Sequence, residues 1–323
     1  MSSDRGAALA LAAPGALLLL VAAVILVGCD GGAALRSQVE TELGRVAAAV
    51  DRLGDDLDGD RVQNAALIKQ YAARVARANP DLRELTEVLR REGTRDGTMY
   101  RALVTRLDEA RGMMPPPDAA ADAYVPIARE LQSLAAAADP AEFSRALSDP
   151  LNVLADLSDG ALPRVDAISA SASRQANAAT DLGPGSQLVG NPHYGQWRSD
   201  GGGNSFWVWY GQFALMQNLL GGPRVGYGDW AGRRDYSYYH DYGRGNYTSP
   251  SMRQQQARVE STARRKFSSE GRTFRSPYAR QRTGASTAVA RQKFAASSGG
   301  ARTGTASMRG FGGGGFRGPS RGK

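Results

Sequence analysis

Residues 39–57 read VETELGRVAAAVDRLGDDL, and their large apolar members, Val39, Leu43, Val46, Val50, Leu53 and Leu57, fall at spacings of 4, 3, 4, 3 and 4. That spacing keeps one stripe on one face of a helix and leaves Glu, Arg and Asp on the others. Gly44 and Gly54 lie inside the run and cost about 1 kcal/mol each against Ala, so the helix must draw stability from partners. A contact within a helical bundle is expected, ahead of a self-associating coiled coil.

The pattern persists to about residue 182. Asn79-Pro80 sets a side-chain acceptor at N-cap and proline at N1, where its missing N–H costs nothing. Leu82, Leu85 and Leu89 follow as one stripe, and Met99, Leu103, Leu107, Ala110 and Met114 as another, ending at Pro115-Pro116-Pro117. Tyr124, Ile127, Leu131 and Leu134 form a third, and Asp139-Pro140-Ala141-Glu142 matches a capping box. Asp149-Pro150 restarts the helix, Leu162, Val165 and Ile168 carry a weak last stripe, and Ser169–Thr180 reads as a frayed helix passing into a linker. Five to seven helices on short turns predict an antiparallel bundle over 33–182. Its Arg and Glu residues fall mainly between the stripes, as solvated faces do.

Asp55, Asp56, Asp58 and Asp60 invite comparison with a calcium loop, which wants Gly at its sixth position and Glu at its twelfth. Counted from Asp56 those positions hold Arg61 and Leu67. A solvated turn capping the next helix is expected instead. No histidine occurs in this half, so paired histidine ligands for a metal are excluded there.

Charge divides the chain. Residues 30–182 hold 18 Lys and Arg against 25 Asp and Glu, a net of −7, whereas residues 183–323 hold 21 against 6, a net of +15. Of 39 glycines, 27 follow residue 182. A joint shift of charge and glycine marks a boundary.

All four tryptophans, both histidines and 8 of 12 tyrosines fall between residues 191 and 250. At its centre, Ser205–Leu220 (SFWVWYGQFALMQNLL) runs 16 residues without a charge between two glycine clusters. As a helix it would span about 24 Å, short of a hydrocarbon core of about 30 Å. Its rings gather at one end, as they do at a bilayer surface. One reading is thus an interfacial or re-entrant membrane segment; the other is packing on the bundle or a partner. Arg224, Arg233, Arg234 and Arg244 interleave with the tyrosines that follow. In a cytoplasmic protein that mixture would suit single-stranded nucleic acid; outside the cytoplasm that ligand is scarce, so sugars, peptidoglycan or a partner's acidic surface are expected and nucleic acid is not. The binding candidates are Trp197, Trp207, Trp209, Tyr210, Trp230 and Tyr239. His193, His240 and Asp241 are too scattered to predict a metal site, and the histidines read as structural or surface residues.

The first apolar run ends Ile25-Leu26-Val27-Gly28-Cys29-Asp30, and Cys29 is the only cysteine. Ala16–Val27 is an uninterrupted apolar run of 12 residues behind a short polar start carrying Arg5, a length that suits a signal h-region. The stretch resembles the lipobox of bacterial lipoproteins. The resemblance implies cleavage before Cys29, diacylglycerol on its thiol, acylation of the new amine and a place outside the cytoplasm. Two or three acyl chains anchor stably where one does not. The alternative is an uncleaved transmembrane helix, since Ala7–Val27 spans 21 residues without a charge. With Cys29 committed to lipid, no intrachain disulfide is possible.

Residues 251–323 carry 16 Lys and Arg against Glu260 and Glu270. Rich in Gly, Ser, Thr and Ala, the stretch is expected to be a disordered basic tail. Arg309-Gly310-Phe311, Phe316-Arg317-Gly318 and Arg321-Gly322 look like nucleic-acid segments of the RGG type. Outside the cytoplasm such a tail is expected to meet anionic lipid or cell-wall polymer, at about 1 kcal/mol per basic residue near a charged surface. The lipobox, Ser205-Phe206-Trp207, Arg309-Gly310-Phe311-Gly312 and the general layout are similar to YgiB-type bacterial lipoproteins. That resemblance implies an envelope lipoprotein and no activity.

The expected molecule is mainly α: signal peptide 1–28, lipidated start 29–32, helical bundle 33–182, aromatic Gly-rich segment 183–250 and disordered tail 251–323. No nucleophile–base pair, paired ligands or phosphate loop is present, so neither a cofactor nor catalysis is expected. The expected role is a membrane-anchored, non-enzymatic envelope lipoprotein facing the periplasm or exterior, touching membrane, wall or a protein partner. The alternative is a ligand-binding module with its site in 193–247.

Overall fold

The computed structural model describes residues 32–219, 224–278 and 283–299. Cys29, the signal region and the Arg-Gly-Phe elements beyond residue 299 lie outside the described residues. The first helix, α1 (Gly32–Asp58), buries Leu35, Val39, Val46, Val50, Leu53 and Leu57. Leu43 is half-buried at the edge of the same stripe. Seven helices follow before residue 182: α2 (Gln63–Ala78), α3 (Arg83–Arg91), α4 (Thr98–Gly112), α5 (Val125–Ala137), α6 (Pro140–Ala146), α7 (Ser148–Asp156) and α8 (Ala170–Asn177). Helix α1 packs on α4 and α5, and α2 packs on α3 and α7. Tyr100 near the start of α4 donates to the carbonyl of Val50, and Arg36 reaches the carbonyl of Pro115 beyond its end, so α1 and α4 run antiparallel. A Cβ at Gly54 would overlap the Tyr100 hydroxyl and the Arg95 guanidinium. Glycine there is what lets α4 approach.

The cap forms as read at Asn79, whose side chain accepts from the Asp81 amide. Asp139 caps α6 by accepting from Ala141 and Glu142, but the box is not reciprocal: the Asp139 amide bonds the Ala136 carbonyl, and the Glu142 carboxylate turns to Arg145 and Tyr238. The aspartate turn is solvated but does not cap α2: Asp56 pairs with Arg61 at 2.7 Å and Asp60 with Lys69 at 2.5 Å, and no side chain caps α2. Leu162, Val165 and Ile168 lie in the loop between α7 and α8, not on a helix. Helix α8 is capped by Ser169 and closed by Ala178 at φ 50°.

The aromatic half is not a separate layer. Strands β1 (Gly195–Ser199) and β2 (Ser205–Trp209) form an antiparallel hairpin that sets Trp197 opposite Trp207. Beyond it come α9 (Met216–Leu219), α10 (Tyr227–Arg233), a π-helical turn (Tyr239–Gly243) and α11 (Arg244–Tyr247). Their buried side chains join those of α1–α7 in one continuous apolar core. Ser205–Leu220 is therefore not a single helix at a bilayer surface. It begins as a strand whose Ser205, Trp207 and Trp209 face inward and whose Phe206 and Val208 are half-buried, so the packing reading holds. No helix among the described residues is long and apolar enough to cross a membrane.

Over 251–278 and 283–299 the expected disorder is corrected; the rest of the expected tail lies outside the described residues. Pro250–Ser269 forms α12, capped by Ser249 and laid across the hairpin on Gln256, Val259 and Ala263. Helix α13 (Gly284–Gly299) lies along α8, with Ala285 and Val289 buried. Burial of Val259 and Ala263, hydrogen bonds of Gln256 with Arg244 and Tyr239, and the Ser249 N-cap outweigh the basic composition of α12.

Candidate functional site

The aromatic candidates are brought together, but inward. Trp197 meets Trp207, Tyr227 and Trp230 with ring centroids 4.9–5.2 Å apart, and Trp207 meets Trp209 at 5.7 Å. Such edge-to-face and tilted pairs add about 0.5–1.5 kcal/mol each beyond the area they bury. Trp197, Trp207, Trp209, Trp230 and Tyr239 are all buried, Trp207 to 2 % exposure, and Tyr210 alone is exposed, at 38 %. A stacking platform needs free ring faces. Five of the six candidates have none.

Of the interleaved arginines, Arg234 is buried and Arg244 half-buried, whereas Arg224 and Arg233 are exposed. Arg224 lies over Phe206 at 4.7 Å, Arg244 over Tyr278 at 3.6 Å, and Arg234 forms a buried pair with Asp241 at 3.0 Å. At Arg234 and Arg244, arginine between aromatics serves as internal cement.

Beneath the rings lies a network of buried polar groups that sequence reasoning missed. Asp149, in the first turn of α7, does not cap its own helix. Its carboxylate accepts from the Ser237 hydroxyl at 2.8 Å and from the amides of Tyr238 and Tyr239 at 2.7 and 3.0 Å. It thus closes the open N-terminal end of the turn that leads into α11. Burial pushes its pKa up to about 7, against the lowering effect of those three donors. Asp235 accepts from Ser173 of α8 at 2.6 Å and from Ser186 at 3.2 Å, and Asp241 accepts from the Thr283 amide at 2.8 Å. Each carboxylate is a tie between segments far apart in the chain.

His193 donates from Nε2 to the carbonyl of Tyr247 at 2.8 Å, and His240 from Nε2 to that of Val189 at 2.9 Å. Burial holds His193 neutral, with its pKa lowered to about 4, and burial together with the Arg234 charge also holds His240 well below the ordinary histidine value. The two rings flank Tyr239 at 6.2 and 4.9 Å. A Cβ at Gly190, where φ is +82°, would strike the Trp230 ring, so the chain passes close against this layer only as glycine. Among the described residues no three His, Cys, Asp or Glu side chains converge as a metal site. Nδ1 of His240 and the indole nitrogens of Trp197, Trp207 and Trp209 have no hydrogen-bond partner there.

Two more buried groups depart from the expected solvated faces. Arg106 and Glu130, 2 % and 3 % exposed, pair at 2.7 Å, and Arg106 also binds the carbonyl of Asn246 at 2.6 Å, joining α4 and α5 to α11. Glu92 accepts from the amide and hydroxyl of Thr98 at the start of α4, and burial raises its pKa. Nothing in local spacing marks Arg106, Glu130 or Glu92 as buried, because their partners come from other segments.

The network can hold elements together and keep two histidines neutral. It offers no open coordination position or exposed nucleophile among the described residues. Compared with protein-family models, with curated proteins and with solved structures, the chain gives no match in any of the three.

Proposed function

We propose that this protein is a non-enzymatic envelope lipoprotein, held to a membrane by lipid on Cys29 and presenting a basic surface to anionic lipid or acidic wall polymer. The observation that carries the reading is a division of labour: the aromatic rings turn inward and the arginines of α12 turn outward. Helix α12 sets Gln256, Val259 and Ala263 against the fold and leaves Arg253, Arg258, Arg264 and Arg265 exposed, followed by exposed Arg272 and Arg275. Arg258 and Arg265 stand two turns apart on the outer face. Because α1 begins at Gly32, three residues past Cys29, a lipid there would hold the bundle within about 10 Å of the bilayer. A ligand module centred on 193–247 loses support, since its rings are already occupied by one another.

Two measurements test the proposal. The mature N-terminal peptide from the native host should begin at an acylated Cys29; an intact Met1 with a free thiol refutes the anchor. The full chain with Cys29→Ala should sediment with phosphatidylglycerol vesicles, and not with phosphatidylcholine alone. Arg258→Glu with Arg265→Glu should weaken that binding at least about tenfold, given about 1 kcal/mol per basic residue at a charged surface. Unchanged binding refutes the basic contact. Deleting 251–323 is a poor substitute, because α12 is part of the fold.

A further inference from the structure

A lipid on Cys29 fixes one point of the molecule at a bilayer, and the fold decides which surface follows it there. Helix α1 starts at Gly32, three residues after Cys29, and three residues span at most about 10 Å. The helix is 27 residues long, so its far end stands about 40 Å from its start. Only the surface beside Gly32 is held close to the bilayer by the anchor.

That surface is the connection between α4 and α5, residues 113–124. A Cβ at Gly32 would lie 3.3 Å from the Ala119 carbonyl. Arg36 donates to the Pro115 carbonyl at 2.8 Å, and the 3-10 turn Ala121–Tyr124 packs on α1. Pro116, Pro117, Ala120 and Ala123 are exposed, and Met113 and Met114 are half-buried. No Lys or Arg occurs from residue 112 to residue 128; the charges of the connection are Asp118 and Asp122, both exposed. The exposed flank of α1 differs, with Glu40, Arg45, Asp51 and Arg52. Prolines and alanines alone hold a bilayer weakly, but a three-residue tether makes the contact intramolecular and so raises its occupancy.

We propose that the protein meets the bilayer end-on, with residues 113–124 resting among the lipid headgroups beside the anchor. This contact rests on the lipid at Cys29. Asp118 and Asp122 keep the connection at headgroup depth, because a carboxylate is expensive in hydrocarbon. Apolar surface and tethering supply the contact and cations do not, so it needs no anionic lipid and is distinct from the basic surface of α12.

Cys29 is the only cysteine and the lipid occupies its thiol, so one introduced cysteine carries a probe at a single position. Ala120→Cys, Ala48→Cys and Ala257→Cys set it on the connection, on the flank of α1 and on α12, at three exposed alanines. Each lipidated full chain is labelled with a nitrobenzoxadiazole dye and reconstituted into phosphatidylcholine vesicles containing lipid with a nitroxide on its headgroup. Vesicle-bound protein is then isolated by flotation. The probe at Ala120 should lose most of its fluorescence, and the probes at Ala48 and Ala257 little. Floating protein whose Ala120 probe keeps its fluorescence, or whose three probes are quenched alike, overturns the end-on contact and leaves the anchor standing. Protein that does not float overturns the anchor and this contact with it.

Discussion

The helical half before residue 182 and the aromatic half after it share one core but are held by different physics. In α1 the core is an aliphatic stripe, Val39 to Leu57, whose members need only be apolar and correctly spaced. In the aromatic half, rings meet edge to face, and buried carboxylates such as Asp149 and Asp235 pin the turns that carry them. Aliphatic packing is tolerant and non-directional, whereas a ring cluster with buried polar ties is specific and fails at single positions. The first kind of region is legible from a sequence. The second is legible only as composition.

The largest effects should come from breaking the joins between the halves. Trp207→Ala removes a side chain that touches two other tryptophans and should cost about 3–5 kcal/mol. Because the core is continuous, urea unfolding should lose helicity at the lower midpoint too. Arg106→Ala leaves Glu130 buried without its main partner and should cost about 3–5 kcal/mol. A double change to an apolar pair, Arg106→Met with Glu130→Leu, should recover much of that loss in the same titration.

A smaller, pH-dependent effect is expected at Asp149. Asn in its place turns an amide donor toward groups that are themselves donors and should cost about 1–3 kcal/mol. Burial raises the folded pKa of Asp149 to about 7, so the folded state holds this proton more tightly than the unfolded chain. Its contribution is therefore greatest in acid and is lost as pH rises from about 4 to about 7. The stability margin of the wild type over Asp149→Asn should shrink between pH 5 and pH 7.5 in urea titrations. His193 works the other way: its folded pKa is lowered to about 4, so its contribution is complete above the usual histidine pKa and is lost as pH falls below it. His193→Gln should remove that acid-side slope.

The smallest expected change is a gain. Gly44 is exposed in mid-helix and a Cβ there would meet nothing within 4 Å, so Gly44→Ala should stabilise by about 1 kcal/mol. Gly54→Ala, on the same helix, should destabilise because Tyr100 and Arg95 fill the space. Paired thermal melts of the two variants separate helix propensity from packing.

Much of the bundle was readable because each signal is local. The stripe of α1 and the caps at Asn79 and Asp139 each lie within a few residues. The hairpin was harder: SFWVW alternates inward and outward, but every residue after Ser205 is apolar, so the period is hidden and the long uncharged run reads as helix. Helix α12 was obscured by its arginines, although Ser249-Pro250 repeats the cap-then-proline signal of Asn79-Pro80. Five of the six aromatic candidates lie buried together and Tyr210 is exposed; composition marks such a cluster without saying which way it faces, so the sequence leaves packing and surface binding open.

The most direct test of the central claim uses the fact that all four tryptophans lie between residues 197 and 230, while much of the helix precedes them. Equilibrium urea unfolding of the full chain, followed by tryptophan fluorescence and by far-ultraviolet circular dichroism on one sample, reads the two halves separately. A shared core predicts coincident transitions with one midpoint. Tryptophan emission that shifts fully to that of solvent-exposed rings while helicity is retained would contradict it, and would restore the aromatic segment as a free surface.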